Sequence, residues 1–320
     1  MRVLKPCLAL ASLLIGLLAD AGGASGGTLY RNQSITVGGL VRTFDLFVPS
    51  GLDADPVPLV LLLHGHGGDA DQMTGFDGST APFRVWMDLA ERDTFLVAYP
   101  DGVISPDENT GWNDCRADAQ TNPSTDDVAF LGALVDQIAL AFPIEPTRIH
   151  AAGVSNGGFM TLRLAAENPT RYTSVAAVIS SLPAVPECPA PTSPVSVLFM
   201  NGTADPLMPW AGGVVHSPRR GTVISTPDSV RLLAEVIGTD PVPLVEDLPD
   251  LNPRDRSTVR RFTFDGGAQG TRVVLYAVLG GGHTTPSRAE QYHWLWELIV
   301  GPQNHDIESA DAIWAFFEGL

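Results

Sequence analysis

Three uninterrupted apolar runs are the feature that most limits how this chain can fold. A strand that is apolar at every position must be buried on both faces, which is typical of parallel sheets covered by helices. Amphipathic stretches lie between and after these runs and have the spacing of helices. The runs are residues 58–63 (Pro-Leu-Val-Leu-Leu-Leu), 94–99 and 148–154, and the amphipathic stretches are residues 82–91, 126–142 and 156–167.

Further segments extend the predicted sheet towards both ends of the chain. Two predicted strands flank a Gly-Gly pair and form an early hairpin, and two further strands have the same apolar pattern as the central ones. The last three segments are predicted to form a late hairpin and a closing helix. The sequence therefore predicts an α/β fold with a mostly parallel, doubly wound sheet and helices on both faces. These segments are residues 30–36 and 41–48, 174–179 and 195–200, 259–264 and 271–278, and 309–317.

The first 21 residues have the composition of a secretory signal peptide. Arg2 and Lys5 precede an apolar run over residues 8–19, and small residues surround a cleavage position after Ala21. The run is shorter than the roughly 20 residues that span a bilayer. We therefore expect residues 1–21 to be removed and residues 22–320 to form one α/β domain of a secreted protein, extracellular or periplasmic. The alternative is a buried N-terminal helix.

The charge of the chain excludes several classes of function. There are 19 basic and 36 acidic residues, a net charge of −17, so neither nucleic acid nor an anionic membrane surface is expected as a partner. Lys5 is the sole lysine and lies in the predicted signal peptide. Schiff-base catalysis and a P-loop, which both need a lysine, are therefore excluded for residues 22–320. Cys115 and Cys188 are the two cysteines beyond it and are candidates for one disulfide in an oxidising compartment.

The pentapeptide Gly153-Val154-Ser155-Asn156-Gly157 follows a predicted strand and begins a predicted helix. In that context a Gly-x-Ser-x-Gly sequence predicts a sharp turn that exposes the serine hydroxyl above the sheet. Ser155 is therefore the candidate nucleophile. The alternative is that Ser155 only caps the helix that follows.

A serine nucleophile needs a histidine base, and that base needs a carboxylate that orients it. Asp205 directly follows the strand at 195–200, and His283 directly follows the strand at 271–278. This order of serine, acid and histidine is the one expected of the architecture. His293 lies in a predicted helix over residues 290–300, and His305 lies in a polar loop, so His283 is the better candidate. Asp205 could instead be a turn residue before proline.

A fourth motif, His-Gly-His-Gly-Gly at residues 64–68, follows the strand at 58–63. A glycine-rich turn there can aim backbone N–H groups at the oxyanion of a tetrahedral intermediate. We expect the N–H groups of His66 and Asn156 to act in this way. The spacing of His64 and His66 also fits a metal site, but a binuclear metallohydrolase would need Asp at 68 and His at 69, where this chain has Gly68 and Asp69.

Taken together, these motifs make the chain resemble the α/β-hydrolases grouped as polyhydroxybutyrate depolymerases and feruloyl esterases, over roughly residues 40–320. The resemblance implies an exported carboxylic-ester hydrolase of α/β-hydrolase fold that needs no cofactor or metal and uses Ser155, Asp205 and His283. Asp126 and Asp127, within one motif, are interpreted as a helix N-cap pair. The motifs lie at residues 64–68, 111–115 (Gly-Trp-Asn-Asp-Cys), 126–128, 155–158 (Ser-Asn-Gly-Gly), 202–206 (Gly-Thr-Ala-Asp-Pro) and 280–283 (Gly-Gly-Gly-His).

The segments around the candidate site limit its substrates. Residues 180–194, where this architecture usually carries a lid, contain five prolines and no helical pattern, so we expect no large lid. Trp112 and Trp210 lie in long loops and are candidates for substrate contacts, although either could pack inward.

The expected partner of a monomeric enzyme is a small ester, a feruloylated or acetylated polysaccharide, or a polyester. Because the charge favours a dissolved protein over one that adheres to a solid, short soluble esters are expected to react faster than polyester film. A polyhydroxybutyrate depolymerase proper and a non-catalytic carbohydrate- or polyester-binding relative remain the alternatives.

Overall fold

The computed structural model describes residues 26–79, 82–189 and 191–319. The predicted signal peptide, residues 1–21, lies outside these ranges. Within them the chain alternates strands and helices, as its apolar runs predicted. The strands are β1 (Thr28–Val37), β2 (Leu40–Val48), β3 (Val57–Leu63), β4 (Leu96–Pro100), β5 (Val103–Ile104), β6 (Thr110–Gly111), β7 (Ile144–Val154), β8 (Ser174–Val178), β9 (Ser196–Gly202), β10 (Gly213–Val214), β11 (Thr222–Val223), β12 (Leu244–Asp247), β13 (Thr258–Phe264) and β14 (Val273–Leu279).

Seven α-helices connect or follow these strands in the described part of the chain. Four of them have an N-terminus capped by a side chain, that of Asp69, Asp126, Ser225 or His293, whereas Ser155 forms no capping hydrogen bond. The helices are α1 (Ala70–Thr74), α2 (Val85–Asp93), α3 (Asp127–Ala141), α4 (Asn156–Glu167), α5 (Thr226–Ile237), α6 (Trp294–Val300) and α7 (Ser309–Glu318).

The central sheet has ten strands in the order β1-β2-β4-β3-β7-β8-β9-β14-β13-β12. The six strands from β4 to β14 pair in parallel, and antiparallel hairpins extend both edges. This arrangement confirms the predicted mostly parallel sheet. Because these strands run parallel, the carboxyl ends of β3, β7, β9 and β14 lie at the same edge of the sheet. The candidate motifs begin at that edge.

Helices cover both faces of the sheet, as predicted. Side chains of α3, α4 and α5 pack with one face, and side chains of α1, α2 and α7 pack with the other. All seven residues of β3 are buried, because both of its faces lie under helices. In α7 the four residues Ile313, Trp314, Phe316 and Phe317 are buried against the sheet.

The helix predicted over residues 290–300 is shorter in the structure and begins at Trp294. His293 precedes it in an extended conformation and its ring nitrogen accepts the N–H of Leu295, so the histidine acts as the N-cap. Helix α5 and the edge strand β12 were not among the predicted elements. Three of the four residues of β12 are exposed, which leaves no apolar pattern to indicate a strand.

Helix α6 is unusual because most of its apolar side chains are exposed. Trp294, Leu295, Trp296, Leu298 and Ile299 are all between 49% and 74% accessible to solvent. The net charge alone did not indicate such a surface. Of the helices described, none is long and apolar enough to cross a membrane.

His150, in the middle of β7, makes the stability of the fold depend on pH. Its ring is 1% exposed, stacks on Phe317 at 4.6 Å between centroids and lies 2.7 Å from the Ser174 hydroxyl. Burial lowers the pKa of His150 to about 3. The folded state therefore keeps this ring neutral where the unfolded chain, with a histidine pKa near ~6.5, takes up a proton.

We predict that this difference in the pKa of His150 lowers the free energy of unfolding at acid pH. The contribution of His150 is complete above about pH 6.5 and falls as the pH drops towards 3, by about 2 kcal/mol between pH 7 and pH 5. Urea unfolding at these two pH values should show a smaller loss for His150→Phe than for the wild type. The exposed His216→Phe is the matched control, and an equal pH dependence in all three proteins would contradict the prediction.

Candidate active site

The candidate nucleophile lies on a tight turn between β7 and α4. Ser155 has φ 52° and ψ −117°, a strained left-handed conformation for a residue with a side chain. Its N–H donates to the carbonyl of Val178 on the next strand, at 2.9 Å. The flanking glycines permit the turn, because a Cβ on Gly157 would lie 2.3 Å from the carbonyl oxygen of Leu63. A strained serine between two glycines is the geometry that the sequence predicted.

The structure brings Ser155, His283 and Asp205 into one hydrogen-bonded chain. Nε2 of His283 lies 3.1 Å from Oγ of Ser155, and Nδ1 lies 2.7 Å from Oδ2 of Asp205. The aspartate side chain is fully buried and the imidazole is 13% exposed. In this arrangement Nδ1–H donates to the carboxylate, which leaves Nε2 free to accept the serine proton.

Backbone hydrogen bonds hold the carboxylate of Asp205 in its orientation. Its Oδ1 accepts the N–H groups of Leu207 and Met208 at 2.7 and 2.8 Å. The turn after β9 is joined to the turn after β14, since the N–H of Ala204 donates to the carbonyl of Gly281 at 2.9 Å. The acid and the imidazole are therefore positioned by two neighbouring parallel strands.

The other late histidines lie in different surroundings. His293 caps α6, and Nδ1 of His305 contacts the carbonyl of Ser287 at 2.7 Å. Within the described residues neither ring is hydrogen-bonded to Ser155 or Asp205.

The glycine-rich turn after β3 lies beside the nucleophile. A Cβ on Gly65 would be 3.6 Å from Cβ of Ser155, and the N–H of Gly67 donates to the carbonyl of Thr110. Asn156 is the first residue of α4, where backbone N–H groups have no helical acceptor. The N–H groups of His66 and Asn156 thus remain the predicted oxyanion donors.

The ring of His64 is used by the backbone, which argues against the metal alternative. Its Nε2 accepts the N–H of Gly102 at 2.8 Å, and its Nδ1 donates to the carbonyl of Gly65 at 2.6 Å. Burial lowers the pKa of His64, so the ring is neutral and both nitrogens are engaged. A metal would have to displace one of these bonds.

The ring of His66 forms a hydrogen bond to the ion pair of Asp107 and Arg220 beside this turn. Its Nε2 lies 3.0 Å from Oδ2 of Asp107, and Arg220 contacts the same oxygen at 3.3 Å. Burial and then the charge of Arg220 lower the pKa of His66 despite Asp107. In the described residues, the one further group of three metal-type ligands is Cys115, Glu167 and Cys188, and its two sulfurs are joined in a disulfide.

The prediction that Trp112 contacts substrate is wrong. Trp112 has no exposed surface, and its indole N–H donates to the carbonyl of His64 at 2.9 Å. The ring packs against the His64 ring and the apolar core, so it supports the glycine-rich turn from behind. Trp210 is half-buried at the edge of the same core and remains a candidate for a substrate contact.

The loop at residues 111–115 joins the nucleophile turn to a buried ion pair that the sequence analysis did not anticipate. Oδ1 of Asn156 accepts the N–H of Trp112, and Nδ2 donates to Oδ2 of Asp114, both at 2.7 Å. Asp114 is fully buried and pairs with Arg116 at 2.6 Å. The Gly-Trp-Asn-Asp-Cys motif was the signal in the sequence, but nothing local indicated that Asp114 would bind Asn156.

A disulfide between Cys115 and Cys188 ties this loop to the segment after β8. The N–H of Glu187 also donates to the carbonyl of Cys115 at 2.9 Å. The structure therefore pairs the two cysteines that the sequence singled out, and it fixes the loop that carries Asp114.

Of the predicted N-cap pair, Asp126 caps α3 by accepting the N–H of Ala129 at 2.9 Å. Asp127 instead forms a buried ion pair with Arg42 at 2.8 Å and accepts the N–H of Asn113 at 2.7 Å. Its position inside the fold, rather than its place at a helix start, decides its role.

Comparison with known proteins identifies esterases as relatives of this chain. A family model described as "Esterase: Putative esterase" matches residues 39–214. "Putative esterase NocK" of Nocardia uniformis subsp. tsuyamanensis is 33% identical over 299 residues, which covers 90% of this chain and 82% of that protein. "Probable feruloyl esterase C" of Aspergillus niger is 27% identical over 179 residues, covering 56% of this chain and 60% of that protein.

Among solved structures, the acetyl xylan esterase from Aspergillus awamori superimposes with a TM-score of 0.51. The match covers 82% of this chain and 96% of that one at 16% identity. At this identity the likeness concerns the fold, which is that of the α/β-hydrolase esterases, as predicted.

We predict that Asp114 is needed for stability because its charge is buried opposite Arg116. Removing one member of a buried pair leaves the other charge uncompensated, at a cost of about 3–5 kcal/mol. Asp114→Asn should therefore lower the free energy of unfolding in urea by about this amount. Asp247→Asn removes the acid from the exposed pair with Arg260 and is the control, expected to change little. Equal losses in both variants would contradict the prediction.

Proposed function

Because the chain belongs to this esterase family and is a carboxylic-ester hydrolase, we propose that it works through an acyl-enzyme formed on Ser155. The observation that carries this proposal is the hydrogen-bonded sequence from Ser155 Oγ through His283 to Asp205, at 3.1 and 2.7 Å. Each contact has the length that proton transfer and imidazole orientation require.

In the acylation step, Ser155 Oγ attacks the ester carbonyl while Nε2 of His283 takes its proton. Asp205 stabilises the resulting imidazolium and keeps the ring in place. The C–O bond to the alcohol then breaks, and the imidazolium returns the proton to the leaving oxygen. The acyl group remains on Ser155.

Deacylation repeats the same steps with water as the nucleophile. His283 removes a proton from the water, which attacks the acyl carbonyl, and the proton passes to Ser155 as the acid leaves. In both steps the N–H groups of His66 and Asn156 stabilise the oxyanion. The backbone contacts around Gly65 and the anchored amide of Asn156 support these assignments.

The names of two similar proteins, a feruloyl esterase and an acetyl xylan esterase, suggest feruloyl and acetyl esters as substrate classes. We extend these classes to this chain because its fold is shared with such an esterase and the Ser155, His283 and Asp205 geometry fits ester hydrolysis. The disulfide and the N-terminal sequence support a secreted enzyme. A polyester depolymerase is the second candidate, and the exposed apolar surface of α6 favours it. A non-catalytic binding protein would not need a serine that is hydrogen-bonded to a histidine, so the contact between Ser155 and His283 favours an enzyme.

We predict that Ser155→Ala lowers turnover of p-nitrophenyl acetate by about 10⁴–10⁶-fold. The substitution removes one oxygen and should leave the melting temperature close to that of the wild type. A fluorophosphonate probe should label the wild type at Ser155 and leave the variant unlabelled. Ser34→Ala, on the exposed edge strand β1, is the control and should keep full activity. Substantial turnover by Ser155→Ala would refute the mechanism.

A second prediction concerns Trp210, five residues beyond Asp205. If its ring stacks on an aromatic acyl group, the contact contributes on the order of 1 kcal/mol. Trp210→Ala should then reduce kcat/KM for methyl ferulate several-fold more than kcat/KM for methyl acetate. Trp210→Phe, which keeps an aromatic ring, should retain most of the preference. An equal loss on both esters would assign Trp210 to packing alone.

A further inference from the structure

The side chains of the two predicted oxyanion donors are buried, although their chemistry needs only the backbone. His66 and Asn156 would stabilise an oxyanion through their N–H groups, yet the His66 side chain is 8% exposed and Asn156 is 2% exposed. Polar side chains in such positions require hydrogen-bond partners, because an unpaired buried polar group is costly. The partners of both side chains belong to one network.

From His66 the network leads to two charged residues. The ring is neutral, so its Nε2–H donates to Oδ2 of Asp107, at 3.0 Å. Nη2 of Arg220 donates to the same oxygen at 3.3 Å. The side chains of Asp107 and Arg220 are each 17% exposed. Because little water reaches these groups, the ion pair holds the His66 ring more firmly than a fully exposed pair would.

From Asn156 the network leads through the buried ion pair described above. Nδ2 of Asn156 donates to Oδ2 of Asp114 at 2.7 Å, and Arg116 pairs with that carboxylate at 2.6 Å. Nη1 of Arg116 also donates to the backbone carbonyl of Arg220 at 2.6 Å. The two halves of the network therefore meet at Arg220, which binds Asp107 through its side chain and Arg116 through its backbone.

We call this sequence of contacts the polar bridge, because it is continuous from one predicted oxyanion donor to the other. Its links are between 2.6 and 3.3 Å long. The covalent chain separates the two donors by most of three strands, so it does not fix their separation locally. The members of the polar bridge, between His66 and Asn156, are Asp107, Arg220, Arg116 and Asp114.

Gly111 lies between the two ends of the polar bridge. A Cβ at this position would be 3.0 Å from Nδ1 of His66 and 3.2 Å from Oδ1 of Asn156. A glycine therefore lets the two side chains approach the same point of the backbone. Both donors are thus held by side-chain contacts on the same side of the candidate site.

The backbone bonds of the glycine-rich turn leave the N–H of His66 itself free. The N–H of Gly67 donates to the carbonyl of Thr110 at 2.8 Å, and the N–H of Gly68 donates to the carbonyl of Gly65 at 3.1 Å. Among the residues that the structure describes, the N–H of His66 has no hydrogen-bond acceptor. Its direction therefore depends on its neighbours in the turn and on the His66 ring, which the polar bridge holds.

We propose that the polar bridge sets the distance and direction between the N–H groups of His66 and Asn156, and that Asp107 is a positioning residue that acts through His66. This inference rests on the proposed function, since an oxyanion forms only if Ser155 attacks an ester. Donors that are aimed in advance need not reorganise as the charge develops, so their placement affects kcat. KM changes little, because the bound ester does not yet carry that charge.

A double-mutant cycle on kcat tests whether Asp107 acts through His66. Asp107→Ala should lower kcat for p-nitrophenyl acetate by about tenfold at nearly constant KM, less than the 10²–10³-fold that loss of a whole donor costs. His66→Ala removes the ring and keeps the backbone N–H. In that background Asp107→Ala should cause no further loss. Asp107→Asn should remain within about threefold of the wild type, because an amide oxygen still accepts the Nε2–H.

Binding of an inhibitor separates placement of the donors from general damage to the fold. A trifluoromethyl ketone adds to the nucleophilic serine and forms an oxyanion, so its inhibition constant should rise about tenfold in Asp107→Ala. Arg220→Ala removes only the outer charge and should change kcat in the same direction by a smaller factor. Asp136→Ala removes the acid from the exposed pair with Arg171 and is the control, expected to change neither constant. Unchanged melting temperatures establish that the variants are folded.

Three results would overturn the proposal. The first is an equal loss of kcat from Asp107→Ala in the wild-type and His66→Ala backgrounds. The second is a rise in KM without a change in kcat, which would assign Asp107 to substrate binding. The third is an unchanged inhibition constant for the ketone. Labelling of Ser155 by a fluorophosphonate is measured in the wild type, so that failure of the esterase mechanism can be distinguished from failure of the polar bridge.

Discussion

Parallel pairing of neighbouring strands is the constraint on which the candidate site depends. Strands β9 and β14 are adjacent and parallel, so the turns after them emerge at the same edge of the sheet. That edge is where Asp205 and His283 meet, 78 residues apart in the chain. Strands β3 and β7 bring the glycine-rich turn to Ser155 in the same way. The order of the strands thus turns four separate motifs into one site, as is general for open parallel sheets.

Beside the nucleophile turn, a network of buried polar side chains holds the backbone in place. Asn156 is bound by Trp112 and Asp114, and Asp114 in turn is bound by Arg116. Such a network stabilises only when each member keeps its partner, because an isolated buried charge is costly. The Cys115–Cys188 disulfide restrains the loop on which the network lies. Rigidity at Asn156 matters for catalysis, since its N–H is a predicted oxyanion donor beside Ser155.

The surface of the molecule combines a strong negative charge with one exposed apolar helix. The net charge of −17 acts over about a Debye length and disfavours contact with anionic surfaces. Apolar contact acts only where surfaces touch, and α6 presents Trp294 and Leu298 at 63% and 74% exposure. The two properties are compatible, because long-range repulsion from charged surfaces leaves short-range adhesion to an uncharged one intact. A charge count by itself therefore does not decide whether this protein adheres to a solid.

By itself the sequence determined the fold class and the central strands, and it singled out Ser155, Asp205 and His283, which the structure brings together. Buried strands and a Gly-x-Ser-x-Gly turn are local patterns, and the order of Ser155, Asp205 and His283 along the chain follows from the architecture. Only the tertiary structure decided that Trp112 packs behind the glycine-rich turn, that Asp127 pairs with Arg42, and that the apolar side chains of α6 stay exposed. Burial and ion pairing depend on which distant segments come into contact, and an apolar or acidic residue has the same local pattern whether or not a partner covers it.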